Sequence, residues 1–90
     1  MGFQRDEQKN VTNARKHGVS LAVAEHFDWD SASYRDDLDH EGEDRYVAIG
    51  YASDGFAYSI VYTYREEDRR IISVRRLTKR ERTKYLRSPL

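Results

Sequence analysis

One segment of this sequence leaves little freedom in how the chain can fold. From Phe56 to Arg65, aromatic or aliphatic side chains occupy every second position, with small, β-branched or charged residues between them. Successive side chains of a β-strand point to opposite faces, so this spacing predicts a strand with one face on a core. Turn-forming residues flank the segment at Ser53-Asp54-Gly55 and Glu66-Glu67-Asp68. We therefore expect hairpins on both sides of it.

The neighbouring segments predict the rest of an antiparallel sheet. Tyr46 to Ala52 and Arg70 to Leu77 have the apolar and β-branched content of strands, and an edge strand is expected around Ala32 to Leu38. Phe3 to Arg5 could form a short opening strand. We expect one face of this sheet to be covered and the other to meet solvent.

Helix signals precede the sheet. Asp6 is an expected N-cap for a helix from about Glu7 to His17, because its carboxylate can accept the free amide hydrogens of the first turn. Gly18 suits the left-handed residue that commonly ends a helix. Ser20 can cap a second, short helix after it.

A third helix is expected after the last strand. Thr78-Lys79-Arg80-Glu81 has the spacing of a capping box, in which the threonine and the glutamate each bond the other's backbone amide. The predicted fold is a single α+β domain over residues 1–90. In it, N-terminal helices and a C-terminal helix pack on a three- to four-stranded antiparallel sheet.

Composition excludes several classes of protein. Cysteine is absent, so there is neither a disulfide framework nor thiolate chemistry, which suits a reducing compartment. No apolar run approaches the roughly 20 residues of a membrane span. We expect a cytoplasmic protein without membrane association.

The neutral net charge conceals two opposed segments. The chain has 16 basic and 16 acidic residues. From Arg65 to Arg87, ten basic residues less four acidic ones give +6; from Glu25 to Asp44, one basic residue less nine acidic ones gives −8. A basic surface on regular structure is typical of proteins that bind a polyanion such as RNA or DNA. The acidic segment is a solvated loop or, alternatively, steers the chain toward a basic partner.

Three arginines are candidates for binding phosphate. The guanidinium groups of Arg65, Arg75 and Arg76 match phosphate oxygens bidentately and stay charged at any usable pH. Alternation along a regular strand would put Arg76 on the face of Ile72, and Arg75 on the face of Ile71. The alternative is that these arginines form surface ion pairs with the acidic turn that precedes the last strand.

Other candidate residues give weaker signals. His17 could act as a general acid or base, or could simply end the first helix. The cluster from His40 to Asp44 has no recognised metal-ligand spacing, and no glycine-rich phosphate loop is present, so neither a metal nor a cofactor is predicted. The seven tyrosines could stack on bases, but the alternation favours a role in filling one sheet face.

An ordered set of short motifs resembles the BrnT family, the toxin half of a bacterial type II toxin–antitoxin pair. The resemblance runs from about Phe3 to Tyr85, and two positions depart from the family pattern: Arg5 replaces the usual Trp, and Val74 the usual Ala. Its main motifs are Lys16-His17-Gly18, Gly42-Glu43-Asp44-Arg45, Thr63-Tyr64-Arg65 and Ile72-Ser73-Val74-Arg75-Arg76.

The resemblance implies a fold, an activity and partners. The implied fold is RelE-like, with helices packed on an antiparallel sheet and RNA on the basic face. The implied activity is metal-independent endoribonuclease action that stops translation. The implied partner is a BrnA-like antitoxin, a ribbon-helix-helix protein that would neutralise the chain in a hetero-oligomer. It would bring the chain to operator DNA only as part of that complex.

Cleavage of RNA without a metal ion needs a nucleophile, a base, an acid and cations, and the candidate residues can be matched to these roles. The 2′-hydroxyl is the nucleophile, a base takes its proton, an acid protonates the leaving 5′-oxygen, and cations offset charge at phosphorus. Arg65, Arg75 and Arg76 form the predicted phosphate clamp. The candidates for proton transfer are His17, Glu43 and Lys9, and the predicted RNA-binding residues are Arg70, Lys79, Arg80 and Arg82.

Two other classes of function remain open at this point. The chain could be a non-catalytic nucleic-acid-binding or co-repressor module that acts with an antitoxin on operator DNA. It could instead be an interaction domain whose basic C-terminal helix binds an acidic protein. A helix-turn-helix around Gly18 is disfavoured, because the segment after it is apolar and has almost no basic side chains to enter a groove.

Overall fold

A computed structural model describes residues 2–37 and 44–85 of the chain. The elements, in chain order, are β1 (Phe3–Gln4), α1 (Glu7–His17), a 3₁₀ helix (Leu21–Glu25), β2 (Ser33–Asp37), β3 (Arg45–Tyr51), β4 (Ala57–Arg65), β5 (Asp68–Arg76) and α2 (Lys79–Tyr85). All five strands belong to one sheet, in the order β1-β5-β4-β3-β2.

The predicted α+β class is confirmed, but the predicted sheet and helices need correction. The sheet has five strands rather than three or four, and it is mixed, because β1 pairs parallel to β5 while the other pairs are antiparallel. The second helix is a single short stretch of 3₁₀ helix. Among the described residues, no helix is long and apolar enough to cross a membrane.

Helix α1 has the predicted boundaries because its ends are capped as expected. The Asp6 carboxylate accepts the backbone N–H groups of Gln8 and Lys9, at 2.8 and 3.4 Å. At the other end Gly18 has a φ of 70°, in the left-handed region that glycine enters at least cost. These caps fix where the helix begins and ends, and therefore where His17 lies.

The main core lies on one face of the sheet, here called the core face. It carries Tyr58, Ile60 and Tyr62 of β4 with Ile71 and Val74 of β5, all at most 3% exposed. The 3₁₀ helix and the segment after it cover this face with an apolar set. Its members are Leu21, Val23, Ala24 and Phe27, and Trp29 packs against them.

The opposite face, here called the cleft face, is also partly covered, so the prediction of one covered face was wrong. Ile49 and Ala57 on this face are buried against Leu77, which directly precedes α2, and Tyr85 of α2 packs against the same cluster. The guanidinium of Arg35 lies 4.3 Å from the centre of the Tyr85 ring. Helix α2 therefore covers one end of the cleft face, and among the described residues no helix lies flat over the other end.

A β-bulge in β5 changes which side chains reach each face. Val61 pairs with Ser73 and Tyr62 pairs with Ile71, so Ile72 has no partner on β4. Because of this extra residue, Ile71 joins Val74 in the core, whereas regular alternation would have placed it beside Arg75. The predicted assignment of the two isoleucines was therefore wrong, and Ile72 lies on the cleft face.

Asn13 attaches α1 to the outer edge of β5, past the end of β1. Its amide nitrogen donates to the carbonyls of Val19 and Val74 at 2.7 and 2.8 Å, and its amide oxygen accepts the Val74 N–H at 3.1 Å. The side chain thus satisfies the strand edge as a neighbouring strand would. Asn13 is only 5% exposed, so this contact is sheltered from water.

Candidate functional site

A cleft of about 560 Å³ opens between α1 and the uncovered end of the cleft face. Four basic or titratable nitrogen side chains line it, together with hydroxyl and amide groups and one carboxylate. The lining residues are Asp6, Gln8, Lys9, Thr12, Asn13, Lys16, His17, Arg45, Ile72 and Ser73. A concave site with this excess of positive charge fits an anionic ligand.

Three parts of the chain meet in this cleft because of local features already described. The C-terminal turn of α1 places Lys16 and His17 there, and the Asn13 contact fixes that helix against β5. The bulge turns Ile72 and Ser73 toward α1. Arg45, at the start of β3, supplies a wall of the cleft from across the sheet.

His17 has an environment that favours its neutral form. Its pKa is lowered from the usual value of 6.5, first by partial burial and then by the positive charges of Lys16 and Arg75. A histidine with a lowered pKa is mostly unprotonated at pH 7, and can therefore accept a proton. His17 is the last residue of α1, as the structural role of ending that helix requires. It also lines the cleft, where it could accept a proton.

Arg75 is not one of the lining residues, but it follows Ser73 on the same face of β5, its charge lowers the pKa of His17, and a carboxylate holds it. Its Nη1 and Nη2 atoms donate to the two oxygens of Glu81, both at 2.7 Å. The pair lowers the pKa of Glu81 to about 2, with the Arg75 hydrogen bond as the largest cause, and raises the pKa of Arg75. Arg75 is thus paired with a residue of α2, and not with the acidic turn considered as its partner above.

The structure does not bring the three predicted clamp arginines together. Arg76 lies at the exposed end of β5 on the side of the core face, with its guanidinium 3.9 Å from the centre of the Phe56 ring. Arg65 is exposed at the far end of β4, six residues beyond the partner of Arg75. At about 3.3 Å per residue, that separation is roughly 20 Å.

The other predicted residues are also dispersed. Lys9 lines the cleft, whereas Glu43 lies outside the described residues. Arg70 is half-buried on β5, opposite Thr63. Lys79, Arg80 and Arg82 are exposed on α2, and the first two line a shallow depression on that helix, separate from the cleft.

Residue-by-residue reasoning missed three members of this neighbourhood. Lys16 and Arg45 belong to motifs that carried the family resemblance, but no chemical role was predicted for them. Glu81 was predicted only as a capping residue. The capping box does form, with Thr78 N–H to Glu81 Oε1 at 3.0 Å and Glu81 N–H to Thr78 Oγ1 at 3.1 Å. Its second role, pairing with Arg75, could have been anticipated only from the packing of α2 beside β5.

Comparison with known proteins identifies the family. A family model described as "Ribonuclease toxin, BrnT, of type II toxin-antitoxin system" matches residues 6–81. The chain belongs to the BrnT family. The matched range contains every described residue that lines the cleft, as well as Arg75 and Glu81.

A solved structure supports the same relationship. The chain is similar to the ribonuclease toxin BrnT of Brucella abortus, whose crystal structure was determined at 1.1 Å, with 27% sequence identity over 88% of this chain and 99% of that one. The TM-score of 0.68 indicates the same fold. A comparison with curated proteins gave no match. The prediction of a BrnT-type toxin of a type II toxin–antitoxin system is therefore confirmed at the level of the family.

Proposed function

We propose that this BrnT-family protein is an endoribonuclease that cleaves RNA in the cleft between α1 and the cleft face. The observation that carries the proposal is the position of His17, a histidine with a lowered pKa, among the basic side chains of Lys9, Lys16 and Arg45 and near Arg75. The cations attract and hold the phosphate backbone. The imidazole can accept the proton that must leave the attacking group.

The proposed nucleophile is the 2′-hydroxyl of the nucleotide that precedes the cut. His17 removes its proton, and the resulting oxyanion attacks the adjacent phosphorus as the bond to the 5′-oxygen of the next nucleotide breaks. Lys9, whose ammonium group is a proton donor, is the candidate to protonate that leaving oxygen. The products of this step are a 2′,3′-cyclic phosphate and a free 5′-hydroxyl.

Arg75 is the proposed principal contact to the scissile phosphate. Pairing with Glu81 uses two of its five N–H donors, so three remain for phosphate oxygens. As the phosphorus becomes five-coordinate, negative charge grows on these oxygens, and a fixed guanidinium stabilises that charge without reorganising. Arg65 and Arg76, which lie outside the cleft, are assigned no contact with this phosphate.

We also propose that the reaction needs no metal ion. The positive side chains of Lys9, Lys16 and Arg45 can stabilise the phosphate, as a divalent cation would, and they repel cations. Among the described residues, Asp6 is the one carboxylate that lines the cleft, and it accepts the first-turn amides of α1. These features favour catalysis by side chains alone.

The membership of the BrnT family supports a proposed biological setting. Cleavage of RNA in the cytoplasm would stop translation, and a BrnA-like ribbon-helix-helix antitoxin would neutralise the protein in a hetero-oligomer that also binds operator DNA. The exposed basic residues of α2, Lys79, Arg80 and Arg82, are proposed to contact RNA outside the cleft through its phosphates.

The test is cleavage of a defined RNA by purified protein in EDTA. We expect cleavage by wild type, a loss of roughly 100-fold in kcat/KM for Arg75→Ala and His17→Gln, and wild-type activity for Arg15→Ala. Arg15 is the matched control, because it is an exposed cation on α1 that does not line the cleft. Circular dichroism and thermal melting confirm that each variant is folded.

Two results would contradict the proposal. If folded Arg75→Ala and His17→Gln cleave as well as wild type, the cleft is not the active site. If Arg65→Ala and Arg76→Ala lose as much activity as Arg75→Ala, the three-arginine clamp becomes the better model. If wild type cleaves neither free RNA nor RNA on ribosomes, the non-catalytic co-repressor becomes the better interpretation. Operator binding with the antitoxin would then be measured.

A further inference from the structure

The carboxylate of Glu81 is partly buried and accepts three hydrogen bonds. Its Oε1 accepts the Thr78 N–H at 3.0 Å and Arg75 Nη1 at 2.7 Å, while its Oε2 accepts Arg75 Nη2 at 2.7 Å. The ordinary ion pair of α1, between Arg5 and Glu7, has a single contact of 3.3 Å. Charge-assisted bidentate pairs of the Glu81 kind are geometrically specific as well as strong.

Contacts that do not involve Arg75 hold Glu81 in place. Leu77, only 6% exposed, anchors the chain where β5 leads into α2. Thr78 then holds the backbone and side chain of Glu81 through the two bonds of the capping box. A long arginine side chain on a strand would otherwise sample several rotamers, and ordering it costs conformational entropy.

The pairing also decides how Arg75 presents its remaining donors. Both terminal nitrogens of the guanidinium engage Glu81, so the plane of the group is set by the carboxylate. The guanidinium is half-buried, which limits the directions from which a ligand can approach it. On the other side of the cleft, His17 is close enough to be influenced by the charge of Arg75.

We propose that Glu81 is a positioning residue of the active site: it holds Arg75 in the orientation that receives the scissile phosphate opposite His17. This inference rests on the proposed function, and it adds a path that runs from the start of α2, through Glu81 and Arg75, to the cleft. Glu81 itself does not line the cleft and touches no reacting atom.

The experiment compares Glu81→Gln, Thr78→Ala and Glu67→Gln in RNA cleavage. Glu81→Gln keeps the size of the side chain but removes its charge and one acceptor. Thr78→Ala removes the Oγ1 acceptor of the Glu81 N–H, which fixes the backbone of Glu81 at the start of α2, and leaves the carboxylate and its bond from the Thr78 N–H intact. Glu67→Gln is the control, since it deletes a negative charge in an exposed turn. We expect kcat to fall roughly 10- to 100-fold in the first two variants with a smaller change in KM, because misoriented groups chiefly raise the barrier.

A double variant separates positioning from a general structural role. If Glu81 acts through Arg75, adding Glu81→Gln to Arg75→Ala lowers residual cleavage no further. If the two residues act independently, the double variant loses the product of the two single fold-losses. Thermal melting is recorded for each variant, so that a loss of activity without a matching loss of folded protein can be recognised. Wild-type kcat in folded Glu81→Gln would overturn the proposal.

An NMR titration of the His17 imidazole keeps this test independent of ribonuclease activity. Arg75→Ala should raise the pKa of His17, because a repelling charge is lost. Glu81→Gln should change this pKa in the wild-type background and leave it unchanged in the Arg75→Ala background. A shift of the same size in both backgrounds would show that Glu81 does not act through Arg75. If wild type cleaves no RNA and the titration still gives the expected pattern, the proposed function fails and the positioning of Arg75 stands.

Discussion

Replacing Asn13 by alanine tests the most specific contact between the two halves of the chain. The substitution deletes three hydrogen bonds, to the Val19 carbonyl and to both backbone groups of Val74. Val74 is fully buried and Val19 is 7% exposed, so water does not readily replace the lost side chain. Three backbone groups are left without partners.

The cost follows from these three groups. A buried donor or acceptor that loses its partner costs about 1–3 kcal/mol, and the low end of that range gives about 3–4 kcal/mol for all three. Alanine is the better helix former by roughly 0.6 kcal/mol, which offsets a small part. We expect a net loss of about 3 kcal/mol in the free energy of unfolding, and a fall in Tm of about 12–24 °C for a domain of this size.

Urea unfolding followed by circular dichroism measures this difference. Thr12→Ala is the matched control, because Thr12 is the exposed neighbour of Asn13 and bonds only a carbonyl of its own helix. It should change stability by no more than about 0.5 kcal/mol. Asn13→Asp should be at least as damaging as Asn13→Ala, because a carboxylate would face two carbonyl oxygens. A loss below about 1 kcal/mol in Asn13→Ala would refute the claim that this side chain completes the sheet edge.

Two further predictions concern pH and packing. The rate of RNA cleavage should fall as pH drops through the pKa of His17, with a midpoint below 6.5. Lys16→Ala should move this midpoint upward, because the positive charge of Lys16 lowers the pKa of His17. His17→Gln should abolish the fall in rate at low pH. A pH–rate profile that is unchanged in His17→Gln would exclude His17 as the base. Gly50→Ala should destabilise the fold by about 1–3 kcal/mol, because the new Cβ would lie 3.1 Å from Phe27 Cζ and 3.3 Å from Ala32 Cα. Urea unfolding measures that loss, and unchanged stability would show that these neighbours can move apart.

The sequence predicted the elements whose causes are local. Helix α1 has the expected boundaries because both of its caps are single residues adjacent to it, and the alternation in β4 reflects the geometry of one strand. A short strand at Phe3 to Arg5 was considered, but its parallel pairing with β5, which makes it the fifth strand of the sheet, was not predictable in this way. A two-residue strand carries almost no periodic signal, and its partner, Asp68 to Arg76, is more than 60 residues away.

The bulge shows a different limit. Ile71 and Ile72 are equally apolar, and no glycine marks the irregularity, so the sequence does not reveal which isoleucine enters the core. The side chains that line the cleft depend on that choice. Lys9 and His17, two of the candidates for proton transfer, both line the cleft. The grouping of Arg65 with Arg75 assumed that residues on adjacent strands are close, regardless of their position along those strands.

The pairing of β1 and α1 with β5 has a consequence for when the cleft can form during synthesis. The walls of the cleft come from residues 6–17, from Arg45 and from residues 72–73, and Arg75 and Glu81 follow at its border. Most of the sequence must therefore be synthesised before residues 6–17 can contact residues 72–73. A nascent chain that ends before Ile72 lacks the part of β5 to which Asn13 attaches α1, so under the proposed function an aborted or frameshifted product would not cleave RNA.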